Sequence, residues 1–88
     1  MSRSAQEIQG WMIDRLGRLM GVPPRELDPH EPVRRYGLDS IALVAFVTDL
    51  EEWAGYRFTS NPLDDHPTVA ALAAFLAEVA AKSRQERK

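Results

Sequence analysis

Four of the six prolines in this 88-residue chain fall within ten positions, at Pro23, Pro24, Pro29 and Pro32. Each fixes its own φ and offers no amide donor, so the stretch from Gly21 to Asp39 can join neither a helix interior nor a central strand. It reads as one long loop of turns, and all regular structure has to be built on either side of it. Loops of that length are uncommon inside compact domains and tend to serve a function. Leu27, Val33, Tyr36 and Leu38 are spaced along it as apolar anchors, which predicts an ordered loop pinned to a core.

Before the loop, Ile8, Trp11, Met12, Leu16, Leu19 and Met20 recur at three- and four-residue spacings, which predicts an amphipathic helix over residues 5–20. Ser4 with Glu7 has the form of a capping box, and Gly21 followed by Pro23 marks the stop. After the loop, Asp39 or Ser40 can cap a second helix that runs to about Ala54 and ends at Gly55. Leu43, Phe46, Val47, Leu50 and Ala54 form its stripe. Ile41, Val44 and Trp53 stand off that stripe, so part of its apolar surface is expected to stay exposed. Asn61-Pro62 predicts a single short helical turn, and Asp65-His66-Pro67-Thr68 repeats the signal with Pro67 as first helical residue. A last, alanine-rich helix buries Val69, Leu72, Ala73, Leu76 and Val79, with Phe75 at its flank. The alternation in Tyr56-Arg57-Phe58-Thr59 has no partner run, so no strand is predicted. The fold class is all-α, a small bundle of three principal helices and one short turn.

The length leaves room for one domain, read as residues 5–81 between a tail at 1–4 and a charged, fraying tail at 82–88. At 44% hydrophobic and 27% charged residues the chain has globular composition. The absence of cysteine excludes a disulfide framework, a thiol nucleophile and a cysteine-ligated zinc. A formal charge of -2 lacks the positive field that nucleic-acid binding needs. No stretch approaches the ~18 apolar residues of a membrane span, and no signal-like segment follows Met1, so a cytoplasmic protein without a membrane partner is expected. A chain that starts at Met1 fits a free-standing polypeptide and an excised domain equally.

Candidate catalytic groups are few. His30 and His66 are far apart and both neighbour prolines, which gives neither a helical zinc pair nor a cluster; no metal site is expected. They read as a solvated loop residue and part of a helix start. Asp64 and Asp65 read as capping and solvating charges, because no apolar pocket surrounds them in sequence. Gly10, Gly17, Gly21, Gly37 and Gly55 are scattered and form no phosphate loop. A domain this small offers little concave surface for a hydrolase, so the chain is not expected to be an enzyme. The one distinctive pattern is Tyr36-Gly37-Leu38-Asp39-Ser40-Ile41, where a helix begins at the end of the long loop. It presents a serine hydroxyl at a helix N-terminus, where free amides and the macrodipole favour an attached anion such as a phosphodiester. Asp39 can hold a divalent cation delivered with a phosphate donor, or Asp39 and Ser40 can simply cap the helix.

Gly37-Leu38-Asp39-Ser40 followed by apolar Ile41 resembles the 4'-phosphopantetheine attachment motif of acyl carrier proteins. The resemblance extends through Ile8 with Trp11-Met12, Leu19 with Gly21-Val22, Leu27-Asp28, Pro32, Leu50-Glu51-Glu52-Trp53 and His66-Pro67-Thr68-Val69 with Leu72-Ala73. Trp11 and the Asp-His-Pro-Thr segment look most like carriers of polyketide synthases. The resemblance implies a four-helix bundle whose third helix is the turn at Pro62 to Asp65. It implies that Ser40 takes a covalent 4'-phosphopantetheine arm from coenzyme A through a phosphopantetheinyl transferase, with Gly37, Leu38 and Asp39 shaping the site. It further implies that the arm carries an acyl thioester to an acyl-activating ligase or acyltransferase, a ketosynthase or tailoring enzymes, and that the carrier is a monomer. Its docking residues would be Ile41, Ala42, Val44, Ala45, Glu51 and Glu52. Two departures stand out: Ala42 and Ala45 replace residues that are often acidic, and Pro62 and Asp64 stand where apolar side chains are common. A peptidyl carrier and a helical interaction module without a prosthetic group are the alternatives.

Overall fold

A computed structural model describes the backbone of residues 3–86 and the side chains of residues 3–82. Met1, Ser2, Arg87, Lys88 and the side chains of residues 83–86 lie outside the described residues. The elements are α1 (Ala5–Met20), α2 (Ser40–Ala54), α3 (Pro62–Asp65) and α4 (Val69–Glu86). No strand forms among the described residues; a single antiparallel bridge joins Pro32 to Thr68.

The capping box at α1 is complete. Ser4 Oγ accepts the Glu7 amide at 3.1 Å and Glu7 Oε1 accepts the Ser4 amide at 3.0 Å, which satisfies two donors that a helix start leaves open. Ile8, Met12 and Leu16 turn inward against α4 and α2. Leu19 shares their face but stands in the final turn, where it remains 38% exposed, contrary to the buried position its spacing predicts.

Gly17 is buried at the same end, and its role is invisible in the periodicity. A Cβ built on it would stand 2.8 Å from the carbonyl oxygen of Val22, because the chain folds back over the last turn of α1. Alanine is favoured over glycine in a helix by about 1 kcal/mol, yet the clash here is with backbone, which cannot step aside as a flexible side chain would. Gly17→Ala is therefore expected to destabilise the fold by about 1–3 kcal/mol in urea melts. A stabilised variant would show that the Val22 turn yields.

The long loop is more regular than its prolines suggest. It contains two 3₁₀ turns, Pro24–Glu26 and Val33–Tyr36, the first led by Pro24 and the second preceded by Pro32. Proline bars the interior of a helix but presets φ for its first turn, so the residues that rule out a long helix promote short ones. The loop is then tied to the start of α4. Val33 donates its amide to the Pro67 carbonyl at 2.9 Å, and Ala70 donates to Pro29 at 2.9 Å. Val33 is buried, while Leu27, Tyr36 and Leu38 pack against the core from its edge. The Tyr36 hydroxyl donates to the Asp28 carbonyl; its burial, together with the nearby Asp28 and Glu31 charges, raises the phenol above its ordinary pKa.

These ties explain one correction. Pro67 is not the first residue of α4, since its carbonyl is engaged by Val33; Thr68 caps instead, its Oγ1 accepting the Ala71 amide at 3.0 Å. Val69, Leu72, Ala73 and Leu76 line the inner face of α4, Val79 is half-buried, and the helix continues through Glu86 into the segment whose composition predicts fraying.

On α2, Phe46 and Leu50 are fully enclosed, with Leu43 and Val47 at the border. Of the three residues off that stripe, Trp53 is covered. Its ring stacks on Trp11 at 4.7 Å and 12°, Arg3 lies 4.1 Å over Trp53, and Arg15 lies 5.0 Å over Trp11. Arg15 also donates to Asp49 at 2.9 Å, which closes a seam between α1 and α2. Ile41 and Val44 have no such cover.

Candidate functional site

The end of the long loop delivers the chain to α2 in a fixed geometry. Gly37 takes φ 89, a left-handed conformation that costs glycine little and other residues more. Leu38 packs at the edge of the core and so anchors the next residue. Asp39 is the N-cap, extended at φ -78 and ψ 173, with Oδ1 accepting the Ala42 amide at 2.7 Å. Of the two roles open to Asp39, capping is the one its contact displays. Ser40 is the first residue of α2, exposed, and its hydroxyl makes no hydrogen bond among the described residues.

That division of labour decides what Ser40 can do. Because the neighbouring carboxylate caps the helix, the hydroxyl stays free while sitting at the positive end of a 15-residue helix. Open amides and the dipole there favour a covalently held phosphodiester, so the residues present fit such a group. The other described serine side chains differ. Ser4 is occupied in the capping box, and Ser60 is exposed in the loop before α3, one residue ahead of the N-cap Asn61 and so outside the helix. Ser2 and the Ser83 side chain lie outside the described residues.

The remaining candidates separate by position. Ile41 is 81% exposed and Val44 65% exposed, one turn apart and directly beside Ser40. Ala42 and Ala45 are half-buried, and Glu52 is exposed. Glu51 is less available than its sequence position suggests: its Oε2 accepts the Phe58 amide at 2.8 Å. Sequence reasoning missed this bond because Phe58 lies beyond the end of the helix. A shallow groove of about 290 Å³ runs beside α2, walled by Leu43, Val44, Val47, Phe58 and Pro62. Pro62 is thus a buried apolar wall residue, whereas Asp64 leaves the wall and pairs with Arg34 at 2.6 Å.

His30 is exposed, as its sequence setting predicts. His66 is not part of the start of α4; it closes α3 and stacks on Phe75 at 4.4 Å. No group of three metal-capable side chains occurs among the described residues. Among those residues, too, no helix is long and apolar enough to cross a membrane.

Residues 10–76 match the family described as Phosphopantetheine attachment site. The chain is 28% identical over 74 residues to the acyl carrier protein TtuC of Teredinibacter turnerae, covering 84% of this chain and 85% of that protein. It is 32% identical over 79 residues to a phenolphthiocerol/phthiocerol polyketide synthase of Mycobacterium tuberculosis, covering 85% of this chain but only 4% of that much longer protein. Among solved structures, a free-standing peptidyl carrier protein from an Acinetobacter baumannii secondary metabolic pathway superposes with a TM-score of 0.79 at 29% identity, covering 86% of this chain and 95% of that one.

Proposed function

The chain belongs to the phosphopantetheine-attachment family, and from that premise we propose that it is an acyl carrier of polyketide or related secondary-metabolite assembly, with Ser40 as the attachment residue. The observation that supports this assignment of the residue is the free, exposed Ser40 hydroxyl at the start of α2, inside the matched region and with its cap supplied by Asp39. In loading, Ser40 Oγ gives up its proton and forms a bond to the pantetheine-side phosphorus as the P–O bond of the coenzyme A pyrophosphate breaks, so that the nucleotide half leaves as adenosine bisphosphate and the proton passes to solvent. The arm, once attached, supplies a thiol that holds an acyl group as a thioester. The chain's own part is positional: Gly37 sets the turn, Leu38 pins it, Asp39 secures the helix start, and the rigid bundle presents Ser40 to solvent. A docked enzyme then meets the tethered group at high effective concentration.

A carrier family contributes no catalysis of its own, and the proposal extends that to this chain: its reactions belong to a phosphopantetheinyl transferase, an acyl-activating ligase or acyltransferase, and ketosynthase or tailoring enzymes. Residues 5–81 as the carrier domain, a monomeric state and a cytoplasmic compartment belong to the same proposal. The alternative of an interaction module without a prosthetic group gives way to the family match. The peptidyl alternative keeps one supporting observation, the likeness to the Acinetobacter carrier. The deciding experiment is intact-mass measurement after incubation with coenzyme A and a promiscuous transferase. One added phosphopantetheine per chain is expected, and an unchanged mass would overturn the reading. Preferential charging of the arm by an amino-acid-activating ligase would move the chain to the peptidyl class.

A further inference from the structure

The first turn of α2 is not held by its own packing. Ser40 and Ile41 are exposed, Ala42 and Leu43 are half-buried, and the first fully enclosed side chain is Phe46 in the second turn. A helix end with so few buried contacts opens locally unless the chain that enters it is fixed. That chain is the second 3₁₀ turn, Val33–Tyr36, followed by Gly37, Leu38 and Asp39. Val33 fastens the start of the turn to Pro67. Among the described residues, two side-chain hydrogen bonds leave the rest of it. Arg34 to Asp64 is an exposed ion pair, a kind that contributes little. Tyr36 is half-buried and stands directly before Gly37, and its hydroxyl donates to the Asp28 carbonyl.

The acceptor is itself well fixed. The Asp28 carbonyl also takes the Glu31 amide at 3.1 Å, and Asp28 Oδ1 takes the His30 amide at 2.9 Å. The next carbonyl, that of Pro29, takes the Ala70 amide at 2.9 Å from the first turn of α4. The Tyr36 hydroxyl therefore moors the entrance of α2 to a turn fastened to α4. Gly37, between Tyr36 and the cap, adds little stiffness of its own, so any slack at Tyr36 passes on to Asp39. Burial and the neighbouring Asp28 and Glu31 charges raise the phenol's pKa and so keep this donor protonated. Resting on attachment at Ser40, we propose that Tyr36 is a positioning residue for loading: bound to the Asp28 turn, it holds the first turn of α2 closed and Ser40 Oγ in one place. Bond formation at phosphorus needs that oxygen in line with the P–O bond that breaks, and orientation of this kind acts on the chemical step. Tyr36 acts through Ser40, so its hydroxyl contributes to kcat more than to KM.

The test compares Tyr36→Phe, which removes the hydroxyl and keeps the ring, with the wild type in steady-state loading of the full chain by a promiscuous transferase with coenzyme A. One hydrogen bond corresponds to about two- to tenfold in a rate, so kcat is expected to fall by about three- to tenfold with KM within about twofold. Ile8→Val, a core truncation near the start of α1, lowers the urea midpoint comparably and is expected to load at the wild-type rate. Asp28→Ala removes the His30 contact that shapes the accepting turn and should lower kcat in the same direction. The double variant should lose little beyond Tyr36→Phe, because both changes act on one tether. Amide exchange, read on the chain without any arm, should quicken by about two- to tenfold at Ala42 and Leu43 in Tyr36→Phe and keep wild-type values there in Ile8→Val. Unchanged kcat, a change confined to KM, an equal loss in Ile8→Val or unchanged exchange at Ala42 and Leu43 would each overturn the proposal. So would a double variant in which the two losses multiply in full. A wild-type chain that takes no arm is a distinct outcome, legible in the mass alone: it overturns attachment at Ser40, and with it the part of Tyr36 in loading, whatever the exchange shows.

Discussion

Ser40→Ala is expected to take up no phosphopantetheine and to remain as well folded as the wild type. The first half follows if Ser40 is the attachment residue, since the remaining described serines are a bonded cap and a loop residue. The second half follows from geometry. The helix is capped by Asp39, and the Ser40 hydroxyl makes no hydrogen bond among the described residues, so removing it breaks nothing. Alanine is also the better helix former at that position. The change in stability should stay within about 0.5 kcal/mol, the range of ordinary surface substitutions. Asp39→Ala is the contrasting variant. It removes the cap and should cost ~1 kcal/mol. Intact mass and a urea melt on the same Ser40→Ala sample read both halves, and phosphopantetheine found on that variant would transfer the site to another residue.

The largest loss of stability is expected from Phe46→Ala and Leu50→Ala, each about 2–5 kcal/mol. Both side chains are at 0% exposure, in contact with a core built from α1, α2, α3 and α4. At roughly 0.05–0.15 kcal/mol per residue, a chain of this length has on the order of 4–13 kcal/mol in total. Either variant therefore removes a substantial share of it. Ile41→Ala, just over one turn from Phe46 but on the opposite side of the helix, should cost less than about 0.5 kcal/mol. If Ile41→Ala matched Leu50→Ala in urea melts, the inward face of α2 would have to be reassigned.

Where local chemistry decides the outcome, the sequence is enough. Ser4 with Glu7, Asp39 before Ser40 and Asn61 before Pro62 each carry the cap and the helix start in neighbouring residues, and all three helices begin where those signals predict. The stripe of Phe46 and Leu50 is equally local, since helical spacing alone puts both on one side. Reading fails where a residue's partner is distant in sequence. Pro67 carries a helix-start signal, but Val33 claims its carbonyl from across the loop. Nothing near Trp53 announces that Trp11 will cover it, or that the Glu51 carboxylate will turn back to Phe58. Gly17 looks like one glycine among five, because the close approach of Val22 is a property of how the chain reverses. The candidate site is legible for the reason the caps are: Gly37 through Ile41 is a contiguous segment whose geometry the loop and helix start impose together.

The seam between α1 and α2 determines what light can report about this protein. The chain has two tryptophans, and both rings lie in that one stack. Emission excited at the red edge of the protein band therefore originates from a single place, sandwiched between Arg3 and Arg15. A denaturation curve followed by tryptophan emission measures the parting of α1 from α2 and is insensitive to what happens at α3, on which neither ring lies. Superposition of that curve with one from far-ultraviolet ellipticity would mean that the seam opens only when the whole bundle does. An emission change at lower urea would mark the seam as a local opening, with α2 swinging on the rest of the domain and taking Ser40 with it.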